Sequence, residues 1–96
     1  MTKAEIVSII ANKLGVEKNE TQVIIESFMK EVKSSLVEGN NVYLRGFGSF
    51  IVKTRAEKIG RNIAKNQSIV IPTHNIPAFK PAKVFMEQVK KKVKVK

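Results

Sequence analysis

The chain has 96 residues, the length of one small domain, and a hydrophobic content of 43%, which is enough for it to fold. It has no cysteine, which excludes a disulfide framework and a zinc–thiolate site, and its formal net charge of +10 indicates a polyanionic partner. Charged residues interrupt the N-terminal segment and no apolar stretch reaches transmembrane length, so we expect a soluble, cytoplasmic protein.

The positive charge is concentrated in the second half of the chain. Residues 1–41 contain five lysines and six glutamates, whereas residues 42–96 contain thirteen lysines and arginines and two glutamates. Such a distribution is informative about partners rather than about the fold. The candidate partners are a nucleic acid, an acidic membrane surface and an acidic protein.

Two amphipathic helices are predicted in the first half. Residues 2–5, Thr-Lys-Ala-Glu, have the pattern of a capping box, and apolar residues follow at helical spacing up to Gly15, which is typical of a helix end. A second helix is predicted to begin at residues 17–19 and to end before Gly39. Its apolar stripe consists of Ile25, Phe28, Met29, Val32 and Leu36. This spacing predicts a helical hairpin with a shared core.

A change of period then predicts strands. Residues 42–45 and 49–59 favour strand, with Gly-Phe-Gly turning between them, and a second β-rich run at 68–72 follows a polar turn at 62–67. Alternate residues of a strand point to opposite faces, and cations occupy both sets of positions in the long strand: Lys53, Arg55 and Arg61 fall in one set and Lys58 in the other. Because neither face suits burial, we predict a two-stranded arm, residues 51–76, that projects from the body.

The remaining residues complete a single α+β domain. From residue 78 onward, Phe79 is predicted to return to the core and a short C-terminal helix is predicted to follow, with Pro81 in its first turn; residues 91–96 predict a solvated basic tail. We therefore predict one domain, residues 1–96, with its body at 1–50 and 77–90. The architecture is a helical hairpin, a short antiparallel sheet extended into the arm, and the C-terminal helix.

The predicted body is small for the number of apolar residues that it must bury. Without arm and tail, roughly sixty residues remain to form a core. The residues predicted as the core are Phe28, Phe47, Phe50 and Phe79. A homodimer that pools two such cores would bury them, and two arms would then form a clamp. The alternative is a stable monomer with a mobile loop.

Four segments of the second half carry a resemblance to a known family. They are Gly46-Phe47-Gly48-Ser49-Phe50, Arg55-Ala56-Glu57-Lys58, Gly60-Arg61-Asn62, and Pro77-Ala78-Phe79-Lys80 with Lys83. They resemble the HU and integration host factor family of bacterial nucleoid-associated, DNA-bending proteins, over about residues 2–90. The resemblance implies an intertwined dimer with a helical body and two β-arms that wrap double-stranded DNA through the minor groove.

The resemblance also implies which residues contact DNA. On the arm these are Arg55, Lys58, Arg61 and Asn62, and on the body Lys3, Lys80 and Lys83. We add Lys53 and Lys65, the neighbouring arm cations. For each of them the alternative is a solvated surface charge.

The tip of the arm departs from the family pattern. After Gly-Arg-Asn the family usually has a proline that wedges between stacked base pairs, and this chain has Ile63. Isoleucine is apolar and stiff at χ1, and it is among the wedges that minor-groove proteins insert, so we predict that Ile63 intercalates. It lacks the fixed φ of proline, which predicts a less preorganised tip. The alternative is an exposed residue that folds back on the arm.

The predicted function is architectural DNA binding of low sequence specificity, with bending, DNA condensation and nucleoid organisation. Site-specific bending of the integration host factor kind, and a heterodimer with a paralogue, stay open as alternatives. A general RNA or polyanion binder is a further alternative, although the arm lacks aromatic residues that stack on bases.

Other classes of protein find little support in the sequence. His74 is the only histidine and there is no cysteine or aspartate, so we predict no enzyme, no catalytic residue, no metal, no cofactor and no small-molecule ligand. Lysines that alternate with single valines make the tail a poor amphipathic face, so no membrane partner is predicted.

Overall fold

The computed structural model describes residues 1–62 and 67–95. The first helix, α1, spans Lys3–Leu14. The Glu5 amide donates a hydrogen bond of 3.2 Å to Thr2 Oγ1, as the capping box predicts. Gly15 ends the helix in the left-handed conformation, with φ of 66°, and its amide donates to the Ala11 carbonyl. Both predicted ends of α1 are confirmed.

The second helix, α2, spans Lys18–Val37 and packs against α1 as a hairpin. Its N-cap residue is Glu17, within the predicted range, and the Thr21 hydroxyl donates a 3.0 Å bond to the Glu17 carbonyl. The buried hydrophobic residues of the described chain are Val7 and Ala11 of α1 and Val32 of α2. The buried hydrophobic residues of the described chain are therefore confined to α1 and α2.

Three antiparallel strands form the sheet of the body. They are β1 (Val42–Leu44), β2 (Gly48–Arg55) and β5 (His74–Pro81), in the order β1-β2-β5. The turn between β1 and β2 places Gly46 at a φ of 82°, a conformation that favours glycine. Strand β5 was predicted only as a return of Phe79 to the core. It is a full edge strand, in which Phe79 lies opposite Phe50 and Pro77 opposite Val52.

Two further strands, β3 (Lys58–Asn62) and β4 (Gln67–Ile71), form a separate two-stranded ribbon. The prediction of one continuous strand over 49–59 is wrong, because the ladder is interrupted at residues 56–57 and, on the facing strand, at 72–73. Pro72 has no amide hydrogen to donate, which accounts for the break on its strand. The prediction that Lys53, Arg55 and Arg61 occupy the same alternating set of positions assumed an uninterrupted strand, so it holds only for Lys53 and Arg55.

The C-terminal helix, α3, spans Lys83–Lys92. Pro81 was predicted in the first turn of this helix, and that prediction is wrong, because Pro81 pairs with Gly48 as the last residue of β5. The Ala82 amide donates a 2.9 Å bond to the Phe47 carbonyl and fixes the junction between β5 and α3. Within the described residues, none of the helices combines the length and the hydropathy that a transmembrane span requires.

An aromatic cluster joins the sheet to α3. Phe47 lies at its centre, with ring centroids 6.5 Å from Phe50, 5.1 Å from Phe79 and 5.6 Å from Phe85. Phe47 nevertheless remains 46% exposed, and Phe28 of α2 is 47% exposed. Three of the residues predicted as a dimer core, Phe47, Phe50 and Phe79, are therefore assembled in this cluster, and both Phe47 and Phe28 are left partly uncovered in the single chain.

The chain is elongated. Its radius of gyration is 18.8 Å and its longest dimension is 57 Å, whereas a compact domain of this length has a radius of gyration of roughly 12 Å. The ribbon of β3 and β4 continues beyond the three-stranded sheet and has few contacts outside itself. The predicted arm is thus present as a ribbon that projects from the body.

Candidate nucleic-acid interface

Two predicted DNA contacts lie at the base of the arm, where β2 and β5 run side by side. Lys53 is paired with Ile76 and Arg55 with His74, and both cations are exposed. Thr54 lies between these two residues in β2, and its Oγ1 donates a 2.7 Å hydrogen bond to Asn75 Oδ1 of β5. This cross-strand bond holds the two strands together one residue before the ladder is interrupted.

The ribbon beyond the interruption carries the other arm residues. Lys58 begins β3 opposite Ile71, and Asn62 ends it opposite Gln67. Consecutive residues of a strand point to opposite faces, so the exposed Lys58 and Ile59 lie on different faces of the ribbon. Arg61 is placed within β3, opposite Ser68. Ile63 and Lys65 lie outside the described residues, between the last paired residues of the two strands.

Two apolar residues of the ribbon were not predicted as part of the interface. Ile59 and Val70 are paired across β3 and β4 and are 72% and 57% exposed. Directly opposite residues share a face, so they form an exposed apolar pair. The sequence does not show that Ile59 and Val70 lie opposite each other, because their pairing depends on where the ladder is interrupted.

The three body lysines fall in two places. Lys80 lies in β5 opposite Ser49, and Lys83 is the first residue of α3, so both flank the junction that the Ala82–Phe47 bond fixes. Lys3 lies at the start of α1. The structure thus brings Lys80 and Lys83 together and places Lys3 on a separate element.

Lys3 is held by a partner that the sequence did not predict. Its Nζ lies 2.8 Å from Glu26 Oε1 of α2, the one ion pair among the residues that the structure describes. Gln22 Nε2 donates a second bond, of 3.2 Å, to the same oxygen. The hydrogen bond from Lys3, then that from Gln22 and the charge of Lys3, lower the pKa of Glu26. Glu26 is therefore ionised at neutral pH, and its charge opposes that of Lys3.

The described residues carry no arrangement of side chains typical of catalysis. His74 Nδ1 lies 2.9 Å from the Pro72 carbonyl at the interruption of the arm. No cluster of three or more histidine or acidic side chains able to hold a metal occurs in residues 1–62 and 67–95. What the arrangement offers instead is a cationic ribbon and two cationic sites on the body.

Comparison with known proteins agrees with this geometry. Residues 1–90 match the family described as bacterial DNA-binding protein. The chain is 39% identical to the SPβ prophage-derived DNA-binding protein HU 2 of Bacillus subtilis over 96% of its own length and all of that protein. It is also 35% identical to integration host factor subunit alpha of Idiomarina loihiensis, over 93% and 91% of the two chains.

A solved structure gives the same result. An HU chain from an Anabaena HU–DNA cocrystal superposes with a TM-score of 0.88 at 34% identity, over 93% of this chain and 97% of that one. The family match spans the helical hairpin, the sheet, the ribbon and most of α3. The chain therefore belongs to the bacterial DNA-binding protein family, to which HU and integration host factor also belong.

Proposed function

We propose that this chain is an architectural protein that binds double-stranded DNA mainly through the minor groove, with low sequence specificity, and bends it. The observation that carries the proposal is the β3–β4 ribbon, a sheet separate from the body, with Lys58 and Ile59 exposed on its two faces. A ribbon without a core of its own suits insertion into a groove. The minor groove distinguishes little beyond A·T from G·C, which accounts for the low specificity.

Membership of a DNA-binding family makes the chain a DNA-binding protein rather than an enzyme. The Anabaena relative was crystallised with DNA, which supports duplex DNA as the partner here as well. We propose that the chain acts in the nucleoid, where it condenses and organises DNA. A fluorescent fusion that spreads evenly through the cell, away from DNA, would contradict this location.

Binding is driven by the release of counterions from phosphates. Each contacted phosphate lowers the logarithm of the association constant by about 0.9 per tenfold rise in salt. The cations proposed as contacts are Lys3, Lys53, Arg55, Lys58, Arg61, Lys65, Lys80 and Lys83, with Asn62 as a polar contact at the tip. Bent, nicked or flexible duplexes should bind more tightly, because part of the deformation energy is removed.

We also propose that the chain is a homodimer. Phe28, Phe47 and Phe79 are 47%, 46% and 39% exposed, which is more than expected for aromatic core residues. Phe79 and Phe85 also line an apolar groove of about 480 Å³ that a second copy would fill. Sedimentation equilibrium of the purified chain should give twice the mass of 10.8 kDa. If the purified chain had the mass of a monomer and dimerised only with a paralogue, the homodimer would be wrong and a heterodimer would take its place.

Bending is proposed to depend on Ile63. An apolar side chain inserted at a base step unstacks it, at a cost of a few kcal/mol, and kinks the duplex so that its flanks reach the body. We expect the wild type to raise energy transfer between dyes at the two ends of a duplex. Ile63→Ala should bind within about tenfold of the wild type, because the phosphate contacts remain, and yet leave the energy transfer near that of free DNA.

Ile59→Ala is the matched control, because it removes the same side chain from the exposed face of the ribbon. We expect it to retain bending. Equal loss of bending in both variants would show that the ribbon needs apolar surface in general and not a wedge. If the wild type bound without raising energy transfer, the bending function itself would be wrong.

A second candidate is a site-specific bender, which the similarity to integration host factor subunit alpha supports. The two candidate functions are distinguished by a competition experiment, in which an excess of unlabelled mixed-sequence DNA competes with one labelled duplex for the protein. A low-specificity protein loses the labelled duplex in proportion to the competitor, whereas a site-specific one retains its preferred sequence. Tighter binding to duplex RNA than to duplex DNA at the same salt concentration would instead favour the general polyanion binder.

A further prediction concerns the Lys3–Glu26 ion pair. Glu26→Gln removes the carboxylate that holds Lys3 at 2.8 Å, so Lys3 becomes available to a phosphate. We expect the affinity for duplex DNA to rise by about two- to fivefold at low salt, the modest effect typical of an exposed pair. Fluorescence anisotropy with labelled duplex measures the change.

Glu31→Gln serves as the control, because it removes an equal charge from the same helix without an ion-pair partner in the described structure. An equal rise in both variants would mean that only the overall charge changed. Lys3→Gln combined with Glu26→Gln should cancel the gain if the release of Lys3 is its cause.

A further inference from the structure

The chain has one histidine, and it lies at the base of the arm. His74 is the exposed first residue of β5, directly after the interruption of the ladder at residues 72–73. It is paired with Arg55 of β2, and directly opposite residues of a ladder share a face. Lys53 lies two residues before Arg55 in the same strand, so it shares this face as well. His74 thus lies beside two of the cations that are proposed to contact DNA.

The hydrogen bond of His74 determines what its other ring nitrogen can do. Nδ1 lies 2.9 Å from the Pro72 carbonyl oxygen, and because a carbonyl only accepts hydrogen bonds, Nδ1 carries a hydrogen. A neutral imidazole has one N–H group, so Nε2 of the neutral ring is an acceptor. A phosphate oxygen is an acceptor too, and the neutral ring therefore has no hydrogen bond left to offer it. Uptake of one proton makes Nε2 a donor and gives the ring a positive charge.

The segments beside His74 carry mostly cations. Their charged residues are Lys33 of α2, which lines a cavity together with Asn75, Lys53 and Arg55 of β2, Glu57 at the interruption, and Lys58 of β3. No carboxylate within residues 1–62 and 67–95 forms an ion pair with the imidazole. A phosphate that binds Arg55 or Lys53 would bring a negative charge to the face of His74, and this charge would favour the protonated ring.

We propose that His74 is a further DNA-contacting residue, which donates a hydrogen bond from Nε2 to a backbone phosphate only when the ring is protonated. The proposal rests on the proposed DNA-binding function and adds a dependence on pH to it. The proton comes from the solvent, and each chain supplies one such contact. The linkage is reciprocal, so DNA must strengthen the binding of the proton by the same factor by which the proton strengthens the binding of DNA.

The affinity for duplex DNA should rise as the pH falls from about 8 to about 5.5, within the range in which histidine gains its charge. We expect a rise of about two- to fivefold per chain at low salt, the modest effect typical of an exposed charge pair. The salt slope should be steeper by about 0.9 per chain at the lower pH, because one more phosphate is contacted. Fluorescence anisotropy with a labelled duplex measures both quantities.

Two variants of His74 separate the charge of the ring from its polarity. His74→Gln keeps a polar side chain that gains no charge, so it should bind at both pH values about as the wild type does at the higher one. His74→Arg carries a permanent charge, so it should bind at both pH values about as the wild type does at the lower one. The control is His74→Gln combined with Asn12→His, which moves the histidine to an exposed position of α1 and should not restore the pH dependence.

Calorimetry counts the proton directly. Titrations of DNA near neutral pH, in two buffers that differ in their enthalpy of ionisation, give the number of protons that binding takes up. We expect the wild type to take up more protons than His74→Gln, by up to one per chain. An α-amino group also titrates near this range, but it is present in both proteins, so the difference between them belongs to His74.

Three results would overturn the proposal. Equal pH dependence in the wild type and in His74→Gln would show that other groups cause it. Restoration of the dependence by Asn12→His would show that the net charge of the chain matters and the position of the histidine does not. Tight binding by the wild type with no change between the two pH values would show that no phosphate reaches His74. Failure of the wild type to bind duplex DNA at either pH would instead reject the proposed function itself, so the two failures are distinguishable.

Discussion

Replacing Phe47 with alanine is expected to lower the free energy of unfolding by about 3 kcal/mol, near the lower end of the range for phenylalanine truncation. The ring contacts Phe50, Phe79 and Phe85 and so links the β1–β2 turn, both long strands and α3. Its truncation removes all of these contacts and leaves a cavity among the remaining rings. The value is at the low end because the side chain is 46% exposed in the single chain.

The exposed part of Phe47 gives the same variant a second expected effect. In the proposed dimer this surface is covered by the other copy, so Phe47→Ala should also weaken dimerisation. Urea unfolding at several protein concentrations measures both effects, because the unfolding midpoint of a dimer rises with concentration. We expect the variant to unfold at lower urea throughout and to dissociate at concentrations at which the wild type is dimeric.

Tyr43→Ala is the control for this prediction. Tyr43 is an aromatic residue of the neighbouring strand β1, but it is 72% exposed and its hydroxyl accepts one hydrogen bond, from Asn41. Its truncation should change the free energy of unfolding by about 0.5 kcal/mol, as is usual at exposed positions. If Phe47→Ala cost no more than this, the aromatic cluster would not be a source of stability. A midpoint independent of concentration in the wild type would contradict the dimer.

Replacing Gly48 with alanine is expected to lower the free energy of unfolding by about 3 kcal/mol through overpacking. A Cβ atom at this position would lie 2.6 Å from the Lys80 carbonyl oxygen and 2.6 Å from Cζ of Phe79. The carbonyl belongs to the paired strand β5, so it cannot move without opening the ladder that joins Gly48 to Pro81. Thermal and urea unfolding measure the loss, and circular dichroism checks that the folded variant retains its secondary structure.

Gly39→Ala separates crowding from backbone conformation. Gly39 has a φ of 86°, and a Cβ atom there would meet no atom within 4 Å beyond its own residue and its two chain neighbours. The substitution should therefore cost only the left-handed conformation, about 1–2 kcal/mol. If Gly48→Ala cost less than Gly39→Ala, the close approach of β5 to Gly48 would be relieved without consequence, and the junction of sheet and α3 would be looser than the structure indicates.

Gly48 also connects stability to the interface. It lies between Phe47, whose carbonyl fixes the β5–α3 junction through Ala82, and the strand that carries Lys80. A shift of β5 at this point would move Lys80 and Lys83, which flank the junction. We therefore expect the residual folded fraction of Gly48→Ala to bind DNA more weakly than the wild type, even where its arm is intact.

The sequence determined the features that depend on neighbouring residues. The capping box at Thr2, the stop at Gly15 and the apolar stripe of α2 act over one or a few turns of helix, so their positions could be read directly. The family and its fold were also predictable, because the segments from Gly46 to Lys83 contain specific residues at specific separations. The concentration of cations after residue 41 likewise indicated a polyanionic partner.

Tertiary structure decided the features that depend on residues far apart in the chain. The interruption of the arm at residues 56–57 requires its counterpart at 72–73, and neither segment alone shows that the ladder stops there. Pro81 suits both a strand end and a helix start, and its pairing with Gly48 selects the strand. Lys3 donates its hydrogen bond to Glu26, which is 23 residues away in the sequence.

The difference between what the sequence determined and what the tertiary structure decided has one physical cause. Helix ends and turns are fixed by hydrogen bonds within a few residues, whereas strand register, ion pairs between helices and the crowding at Gly48 are fixed by which surfaces meet once the chain has folded. The sequence therefore determined the helices of the hairpin, the family and the charge of this protein. The tertiary structure decided where the arm divides from the body and that Lys3 is held in an ion pair with Glu26.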